Sequence, residues 1–291
     1  MLYTLFNGQI KVTVSDMGAE LQSILASDGT EYLWQGDGRY WKDRAPVLFP
    51  FVARLTEGCY ELDGIRYGMS IHGFACRSRF KPVLCEQKKI VLELTSNEET
   101  RAAYPRDFVF RVTCALEGNT VATVYEVTNT DRKTMWFGLG AHPGFRVPLK
   151  DGLSFFDYRL TFADPCRPVR VGFSPACFLD GNDLPFPLEK DRFLPLRHGM
   201  FDDDAIVLKN TSREVTLETD KDRRSVTVRF PGMDYLGIWH RPKTDAPYVC
   251  IEPWCSLPAF QDRITVFEEK PDLLRLEPGN VYRNRWEITL T

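Results

Sequence analysis

Two segments of the sequence place a side chain that can transfer a proton directly after a strand-like run. His142 lies in the turn-rich segment 138–148, and Glu252 lies near the end of the apolar run 248–254. Pro143 disfavours helical backbone at His142, and the neighbouring glycines allow close backbone approach. A histidine and a carboxylate kept in different environments can act as general acid and general base. We therefore predict that the two runs bring His142 and Glu252 together across one sugar-sized pocket.

Two further residues could bind a polar ligand beside this pair. Arg54 ends an apolar run framed by prolines, and its guanidinium either clamps hydroxyl or carboxylate groups or forms a structural ion pair. His72 is followed by Gly73 in the segment 70–75. For a single histidine, a structural role is as well supported as a catalytic one. The sequence leaves both roles open for each residue.

Aromatic and acidic side chains give a second set of candidates. Trp239 either stacks on a sugar ring or packs in the core, and a catalytic and a structural role are both open for its neighbour His240. For His198 a structural role is favoured. The acidic run 202–204 precedes an apolar run. Such a run is usually a solvated loop, although an aspartate at the mouth of a strand can accept hydrogen bonds from sugar hydroxyls.

The elements that must position these residues have the pattern of short strands. Apolar residues alternate between Phe108 and Leu116, and a turn at 118–119 leads into 121–127, which predicts a β-hairpin. Alternation recurs at 226–230 and 286–290, and 97–103 is predicted to form one short helix. We predict an all-β fold, a large antiparallel β-sandwich, with residues 1–291 in a single domain because no linker interrupts the chain.

Composition excludes several classes of partner. The net charge of the 291 residues is −3 with both signs interspersed, so we expect neither nucleic acid nor membrane as a partner. The N-terminus lacks the pattern of a signal peptide, and a cytoplasmic protein is expected. The eight cysteines show no CxxC or zinc spacing, which favours buried, reduced thiols and no metal site.

Local motifs for other chemistries are absent from the sequence. It contains no GxGxxG after a strand, no phosphate-binding loop, no HExxH and no GxSxG. Nucleotide-dependent, zinc-protease and serine-hydrolase activities therefore have no support. A glycosidase would need two carboxylates, and nothing singles out a second acid beside Glu252.

Several short motifs carry a family resemblance through their order and spacing. They are Ala45–Pro50 with Arg54, His72–Ala75, Gly140–Phe145, Asp204-Ala205 and Cys250–Trp254. Together they resemble the aldose 1-epimerase, or galactose mutarotase-like, family, in its LacX-like bacterial branch. The resemblance implies a β-supersandwich, His142 as catalytic acid, Glu252 as catalytic base, and Arg54, His72 and Asp204 lining the sugar site. Because Asp202 and Asp203 adjoin Asp204, the residue of this run that faces the sugar stays open.

The resemblance implies an isomerase that interconverts the α and β anomers of free aldohexoses without a metal or an organic cofactor. One alternative is epimerisation of a hexose 6-phosphate, for which Arg39, Arg44, Arg54 and Arg77 are candidate phosphate ligands. Another is a non-catalytic carbohydrate-binding protein. A homodimer formed through an exposed edge strand is a further alternative.

Overall fold

The computed structural model describes all 291 residues, and strands dominate it. In chain order the strands are β1 (Leu2–Phe6), β2 (Ile10–Ser15), β3 (Leu21–Ala26), β4 (Val47–Leu48), β5 (Cys59–Leu62), β6 (Ile65–Gly68), β7 (Lys81–Glu86), β8 (Lys89–Thr95), β9 (Phe108–Glu117), β10 (Thr120–Asn129), β11 (Met135–Phe137), β12 (Gly140–Ala141), β13 (Gly144–Arg146), β14 (Arg159–Phe162), β15 (Val169–Arg170), β16 (Leu184–Pro185), β17 (Phe193–Pro195), β18 (Ile206–Lys209), β19 (Glu214–Thr219), β20 (Asp222–Arg229), β21 (Tyr235–Trp239), β22 (Tyr248–Trp254), β23 (Thr265–Val266), β24 (Leu274–Leu276) and β25 (Val281–Leu290). The α-helix α1 spans Glu98–Ala103, and short 3-10 helices span Thr56–Gly58, Ala75–Arg77, Phe155–Asp157, His198–Phe201 and Phe267–Glu269.

Two large sheets organise these strands. One has nine strands in the order β17-β14-β19-β20-β25-β10-β9-β8-β7. The other has the order β16-β15-β18-β21-β22-β12-β4, and β13 also pairs with β22. Pairing is antiparallel throughout both sheets, and the one parallel pair is β5 with β23 in a small separate sheet. The predicted all-β, antiparallel fold is confirmed.

The predicted hairpin and helix are both present. Strands β9 and β10 pair with Thr120 opposite Glu117, and side chains along β9 alternate between buried and partly exposed positions. Helix α1 begins after Asn97, whose side chain accepts a hydrogen bond from the Thr100 N–H at 2.9 Å. The Thr100 side chain accepts from the Asn97 N–H in return, and this reciprocal cap stabilises a helix of only six residues.

The main core lies between the two large sheets. Phe108 and Phe110 of β9 contribute to it from one side, and Val249 and Ile251 of β22 contribute from the other. Because alternate residues of a strand point to opposite faces, Cys250 and Glu252 project from the other face of β22. All seven residues of β22 are nevertheless buried. The second face of β22 is therefore covered as well, and the residues that cover it form the candidate site.

Strand β7, an edge of the nine-stranded sheet, carries features that oppose pairing with another chain. Pro82 lacks an N–H donor, Lys81 is exposed, and the register against β8 shifts between Pro82 and Leu84. These features disfavour a homodimer through this particular edge. The structure has no helix with the length and apolar character of a membrane span.

All eight cysteines are free thiols, but they are less buried than expected. Cys114, Cys250 and Cys255 are buried, whereas Cys85 is exposed and the other four are partly exposed. The expectation of uniformly buried thiols is therefore wrong. The exposed thiol lies on the edge strand β7, where one face of the strand meets solvent.

Candidate active site

Strand register brings His142 and Glu252 together. Gly140 pairs with Trp254 and Gly144 pairs with Cys250, so the segment between β12 and β13 places His142 opposite Glu252. The two side chains meet with His142 Nε2 3.2 Å from Glu252 Oε2. Both are buried, with 8% of His142 and 1% of Glu252 exposed. The two separate strand-like runs of the sequence thus converge on one point.

The glycines beside His142 make room for aromatic rings. A Cβ atom at Gly140 would lie 2.8 Å from Cδ1 of Trp254, and one at Gly144 would lie 3.0 Å from Cζ3 of Trp41. Carbon atoms do not approach so closely without displacement. Glycine at these two positions therefore lets both indole rings lie against the segment that carries His142.

A cavity of about 300 Å³ opens above this pair. This volume is at the lower end of the range of small-molecule sites, ~300–1,000 Å³. All six residues singled out in the sequence border it: Arg54, His72, His142, Asp204, Trp239 and Glu252. The other lining residues are Trp41, Asp43, Ala53, Ile71, Arg77, Phe173, Cys177, Asp203, Ala205, Val207, Trp254 and Pro258.

The acidic run divides between two neighbouring cavities. Asp203 and Asp204 border the cavity above the pair, whereas Asp202 borders only the adjoining one. The Oδ1 atom of Asp202 accepts a hydrogen bond from the Lys243 N–H at 3.2 Å. Of the three aspartates, two can therefore face a ligand.

Backbone strain concentrates around the cavity. Eleven residues other than glycine have a positive φ angle, and four of them border the cavity: Ala53 (60°), His72 (64°), Cys177 (64°) and Asp204 (79°). Such conformations cost of order 1–3 kcal/mol each and persist where the surroundings enforce them. These four residues make the cavity a candidate functional site on grounds independent of its side-chain chemistry.

Hydrogen bonding fixes the tautomer of His72. The Ala53 N–H donates to His72 Nδ1 at 3.1 Å, and the His72 N–H donates to the Ala53 carbonyl at 3.0 Å. Burial, followed by the positive charges of Arg54 and Arg77, lowers the pKa of His72 to about 4. The ring is therefore neutral near pH 7 with its proton on Nε2. It offers the cavity one N–H donor and no charge.

The environments of His142 and Glu252 shift their pKa values in opposite directions. Burial, and then the nearby ring of His72, lowers the pKa of His142 well below its usual value. Burial, and then the charge of Asp204, raises the pKa of Glu252 well above its usual value. When the pair already holds one proton, a second proton binds only at low pH, and the single proton leaves only at raised pH. The pair therefore holds one proton between its two members, as an acid–base couple requires.

Cys177 is a neighbour of Asp204 that the sequence did not reveal. Its thiol donates to Asp204 Oδ2 at 2.9 Å, and burial followed by this hydrogen bond raises the pKa of Cys177 to about 11. The thiol therefore stays protonated and holds the carboxylate in place. No local motif marks Cys177, because it meets Asp204 only through the tertiary fold.

The donor atoms at the base of the cavity are a poor match for a metal site. Ligand atoms of His142, Cys250 and Glu252 lie within 4.8 Å of one another. A thiol must ionise to bind a metal, and burial raises the pKa of Cys250 well above its usual value. The His142 and Glu252 side chains already lie at hydrogen-bonding distance. These residues fit a proton-transfer pair backed by a neutral thiol better than they fit a resident metal ion.

Three side chains from the sequence segments considered above lie outside the cavity. Phe74, in the motif His72–Ala75, packs edge-on against Phe49 and borders a neighbouring cavity instead. His240 is fully buried. Its Nδ1 donates to the Arg241 carbonyl at 2.8 Å, so its Nε2 must accept the proton of His198 Nδ1 at 3.0 Å. Both of these histidines are structural.

The buried His240 predicts a stability change with pH. Burial lowers its pKa to about 4, against ~6.5 in an unfolded chain. Only the unfolded state binds this proton between these values, so stability is retained above pH ~6.5 and falls by about 3 kcal/mol as the pH falls to ~4. Urea unfolding at pH 7 and pH 4.5 should show a smaller pH-dependent loss for His240→Asn than for the wild type. Equal losses would contradict this assignment.

Arg54 borders the cavity beside Cys177, and no carboxylate pairs with it. Its guanidinium donors can therefore reach ligand hydroxyls. We expect Arg54→Ala to raise KM about 10- to 100-fold with a smaller fall in kcat, because one charge-assisted hydrogen bond contributes ~1.5–3 kcal/mol. Steady-state kinetics with Arg66→Ala, an exposed arginine on β6, as the matched control checks this. An unchanged KM would assign Arg54 a structural role.

The antiparallel supersandwich with a buried acid–base pair on one sheet defines a class of protein, and comparison with known proteins supplies its family. Residues 1–289 match the family model described as Aldose 1-epimerase. The chain belongs to the aldose 1-epimerase family.

Individual relatives cover the whole chain. It is 30% identical over 299 aligned positions to the chromosomal Protein LacX of Lactococcus lactis subsp. lactis, covering 100% of this chain and 99% of LacX. Its fold is similar to a galactose mutarotase related enzyme from Lactobacillus acidophilus, with a TM-score of 0.95 and 34% identity over 100% of this chain and 97% of that one. A galactose mutarotase-like protein from Lactobacillus casei ATCC 334 gives a TM-score of 0.93 and 31% identity, with 100% of both chains covered.

Proposed function

We propose that this protein interconverts the α and β anomers of free aldohexoses. The observation that carries the proposal is the buried pair of His142 Nε2 and Glu252 Oε2 at 3.2 Å, at the base of a cavity of about 300 Å³. Family membership supports an epimerase, and the names of the relatives refer to galactose mutarotases.

The reaction needs one acid and one base close together. In the form of the pair in which the shared proton lies on His142, the Glu252 carboxylate takes the proton from the C1 hydroxyl, and the His142 imidazolium donates its proton to the ring oxygen while the bond from C1 to that oxygen breaks. Rotation about C1–C2 in the open aldehyde and closure on the other face then reverse both proton transfers. The two oxygens are both bonded to C1, so the acid and the base must lie within a few ångström of each other. The His142–Glu252 spacing meets this requirement.

Neutral and charged groups on the cavity wall can hold the sugar hydroxyls. His72 offers an N–H donor, Asp204 offers a fixed acceptor, and Arg54 offers guanidinium donors. The indole of Trp239 provides an apolar face. This mixture of directed polar groups and aromatic surface is typical of sites that bind polyhydroxylated ligands.

The charges of the cavity favour a sugar without a phosphate. Besides Glu252, three carboxylates border it, those of Asp43, Asp203 and Asp204, against the guanidinium groups of Arg54 and Arg77. A phosphate dianion would meet acidic neighbours in any position near these aspartates.

The arginine cluster considered for a phosphate does not assemble. Arg39 pairs with Asp37 at 2.6 Å, and Arg44 donates to Gln22 at 2.8 Å. Neither arginine borders the cavity. Only two of the four candidates therefore remain available for an anion, which weakens the hexose 6-phosphate alternative.

Anomer equilibration tests the proposal. Dissolving α-D-glucose, α-D-galactose or α-D-glucose 6-phosphate with and without protein and following the anomers by NMR gives kcat/KM for each sugar. We expect both free hexoses to be substrates within about 100-fold of each other, because a single differing contact contributes ~1–3 kcal/mol. The phosphate should be the poorest substrate. A preference for the phosphate of more than about 100-fold would overturn the substrate class, and binding without faster equilibration would favour a non-catalytic sugar-binding protein.

A further inference from the structure

The indole of Trp41 covers the imidazole of His142. The ring centroids are 4.8 Å apart with an angle of 28° between the planes, which is a stacked arrangement. Trp239 and His72 meet the same imidazole edge-on, at 5.7 Å and 5.5 Å. Aromatic rings therefore approach His142 on several sides, and Trp41 is the one that lies parallel to it.

Stacking on His142 matters because its Nδ1 lacks the hydrogen bond that usually orients a catalytic imidazole. In acid–base sites one imidazole nitrogen usually bonds to a carboxylate or a carbonyl, and this bond fixes the plane and the tautomer of the ring. His142 Nδ1 is buried and has no hydrogen-bond partner, while Nε2 faces Glu252. On the Nδ1 side, packing alone therefore holds the plane of this ring.

Trp41 is itself firmly held. The backbone N–H of Trp41 donates to the Asp37 carbonyl at 2.8 Å, and the backbone carbonyl of Trp41 accepts from Trp34 Nε1 at 2.9 Å. Its ring also stacks on Tyr248 at 5.7 Å and 27°. These contacts hold the backbone of Trp41 and pack its ring, and Gly144 leaves room for the indole over the imidazole.

We propose that Trp41 is the positioning residue of the catalytic histidine: its indole face fixes the imidazole plane and favours the imidazolium form that donates the proton. This inference rests on the proposed function. The physical basis is the attraction of a cation to the negative face of an aromatic ring, which is strongest for tryptophan and increases when water is excluded. Trp41 thereby favours the tautomer in which the shared proton lies on His142 and Glu252 is free to act as base.

Trp41 also borders the cavity, so it could instead be only a stacking surface for the sugar. The two roles predict different changes in kcat and in sugar affinity when Trp41 is replaced. A positioning role lowers kcat and acts only when the imidazole is present. A sugar-stacking role weakens the binding of any sugar of suitable shape, whether or not it can react.

The experiment compares Trp41→Leu, which removes the ring, with Trp41→Phe, which keeps a smaller one. A desolvated cation–π contact contributes roughly the equivalent of a 30-fold rate factor, so we expect kcat to fall about 30-fold for Trp41→Leu and less than about 5-fold for Trp41→Phe. The Kd of 1,5-anhydroglucitol, which lacks the C1 hydroxyl, should change less than about 3-fold. Trp136→Leu, at a half-buried tryptophan in β11, is the matched control and should keep wild-type kcat.

A second variant guards against misfolding of Trp41→Leu. Gly144→Ala adds a methyl group at 3.0 Å from the indole and displaces the ring without removing it, so kcat should fall here too. In a His142→Asn background, Trp41→Leu should cause no further loss of kcat. Each of three results would overturn the proposal. The first is a wild-type kcat in Trp41→Leu, and the second is a loss of analogue binding as large as the loss of kcat. The third is an effect of Trp41→Leu on kcat that is undiminished in the His142→Asn background.

The NMR signals of the His142 ring nitrogens separate this inference from the proposed function. Burial already lowers the pKa of His142 in the sugar-free protein. We expect Trp41→Leu to lower further the pH at which these signals report protonation of the ring, and an unchanged titration would overturn the positioning role. If the wild type does not speed anomer equilibration but the titration shifts, the proposed function fails and the positioning role stands.

Discussion

Replacing Glu252 with glutamine is expected to lower kcat by roughly 10²- to 10⁴-fold, the typical contribution of a positioned general base. The amide has the shape of the carboxylate and can still hydrogen-bond His142 Nε2, which lies 3.2 Å from Glu252 Oε2 in the wild type. It cannot accept the proton of the C1 hydroxyl. Substrate binding should therefore survive while proton abstraction fails.

The measurement is NMR of anomer exchange at equilibrium, which reaches lower rates than polarimetry. The binding control is the Kd of 1,5-anhydroglucitol, expected to stay within a few-fold of wild type. Glu99→Gln is the matched control, because Glu99 is an exposed residue of α1. A Glu252→Gln protein with wild-type kcat would remove the assigned base from the mechanism.

Replacing His142 with asparagine is expected to lower kcat by roughly 10²- to 10⁴-fold as well, because the ring oxygen loses its proton donor. Asparagine keeps a polar side chain beside Glu252, but it cannot carry the shared proton. The Trp41 ring also loses its stacking partner, so a modest loss of stability should accompany the loss of activity. Thermal unfolding of the variant separates the two effects, and a folded variant with unchanged kcat would contradict the role of His142.

Combining the two substitutions tests whether the residues act as one unit. Groups that share one proton and one transition state give strongly non-additive losses when removed together. The double variant should therefore be about as active as the poorer single variant. Losses that multiply would show that His142 and Glu252 act in independent steps.

The sequence predicts much of the fold because its patterns are local. Alternation from Phe108 to Leu116 identifies β9 directly, and the glycine turn after it identifies the hairpin with β10. The capping residue Asn97 similarly marks the start of α1. The register between β22 and the segment around His142 is set by pairing across about a hundred residues of chain, and no local pattern encodes it.

The candidate site was predictable where a residue type is chemically distinctive and flanked by turn residues. His142 and Glu252 meet both conditions. Trp41 and Cys177 do not, because an indole or a thiol in a loop is compatible with many roles until its neighbours are known. Phe74 lacks distinctive chemistry in the same way, and its ring packs against Phe49 of the core and away from the cavity.

The burial of β22 on both faces has a consequence for local unfolding. A strand that is hydrogen-bonded on both edges and covered on both faces opens only when the whole domain opens, so its amides belong to the slowest-exchanging part of the protein. Glu252 is carried by this strand, whereas Arg54, His72 and Asp204 lie outside the strands. We therefore expect the backbone amide of Glu252 to exchange with solvent more slowly than those of Arg54, His72 and Asp204.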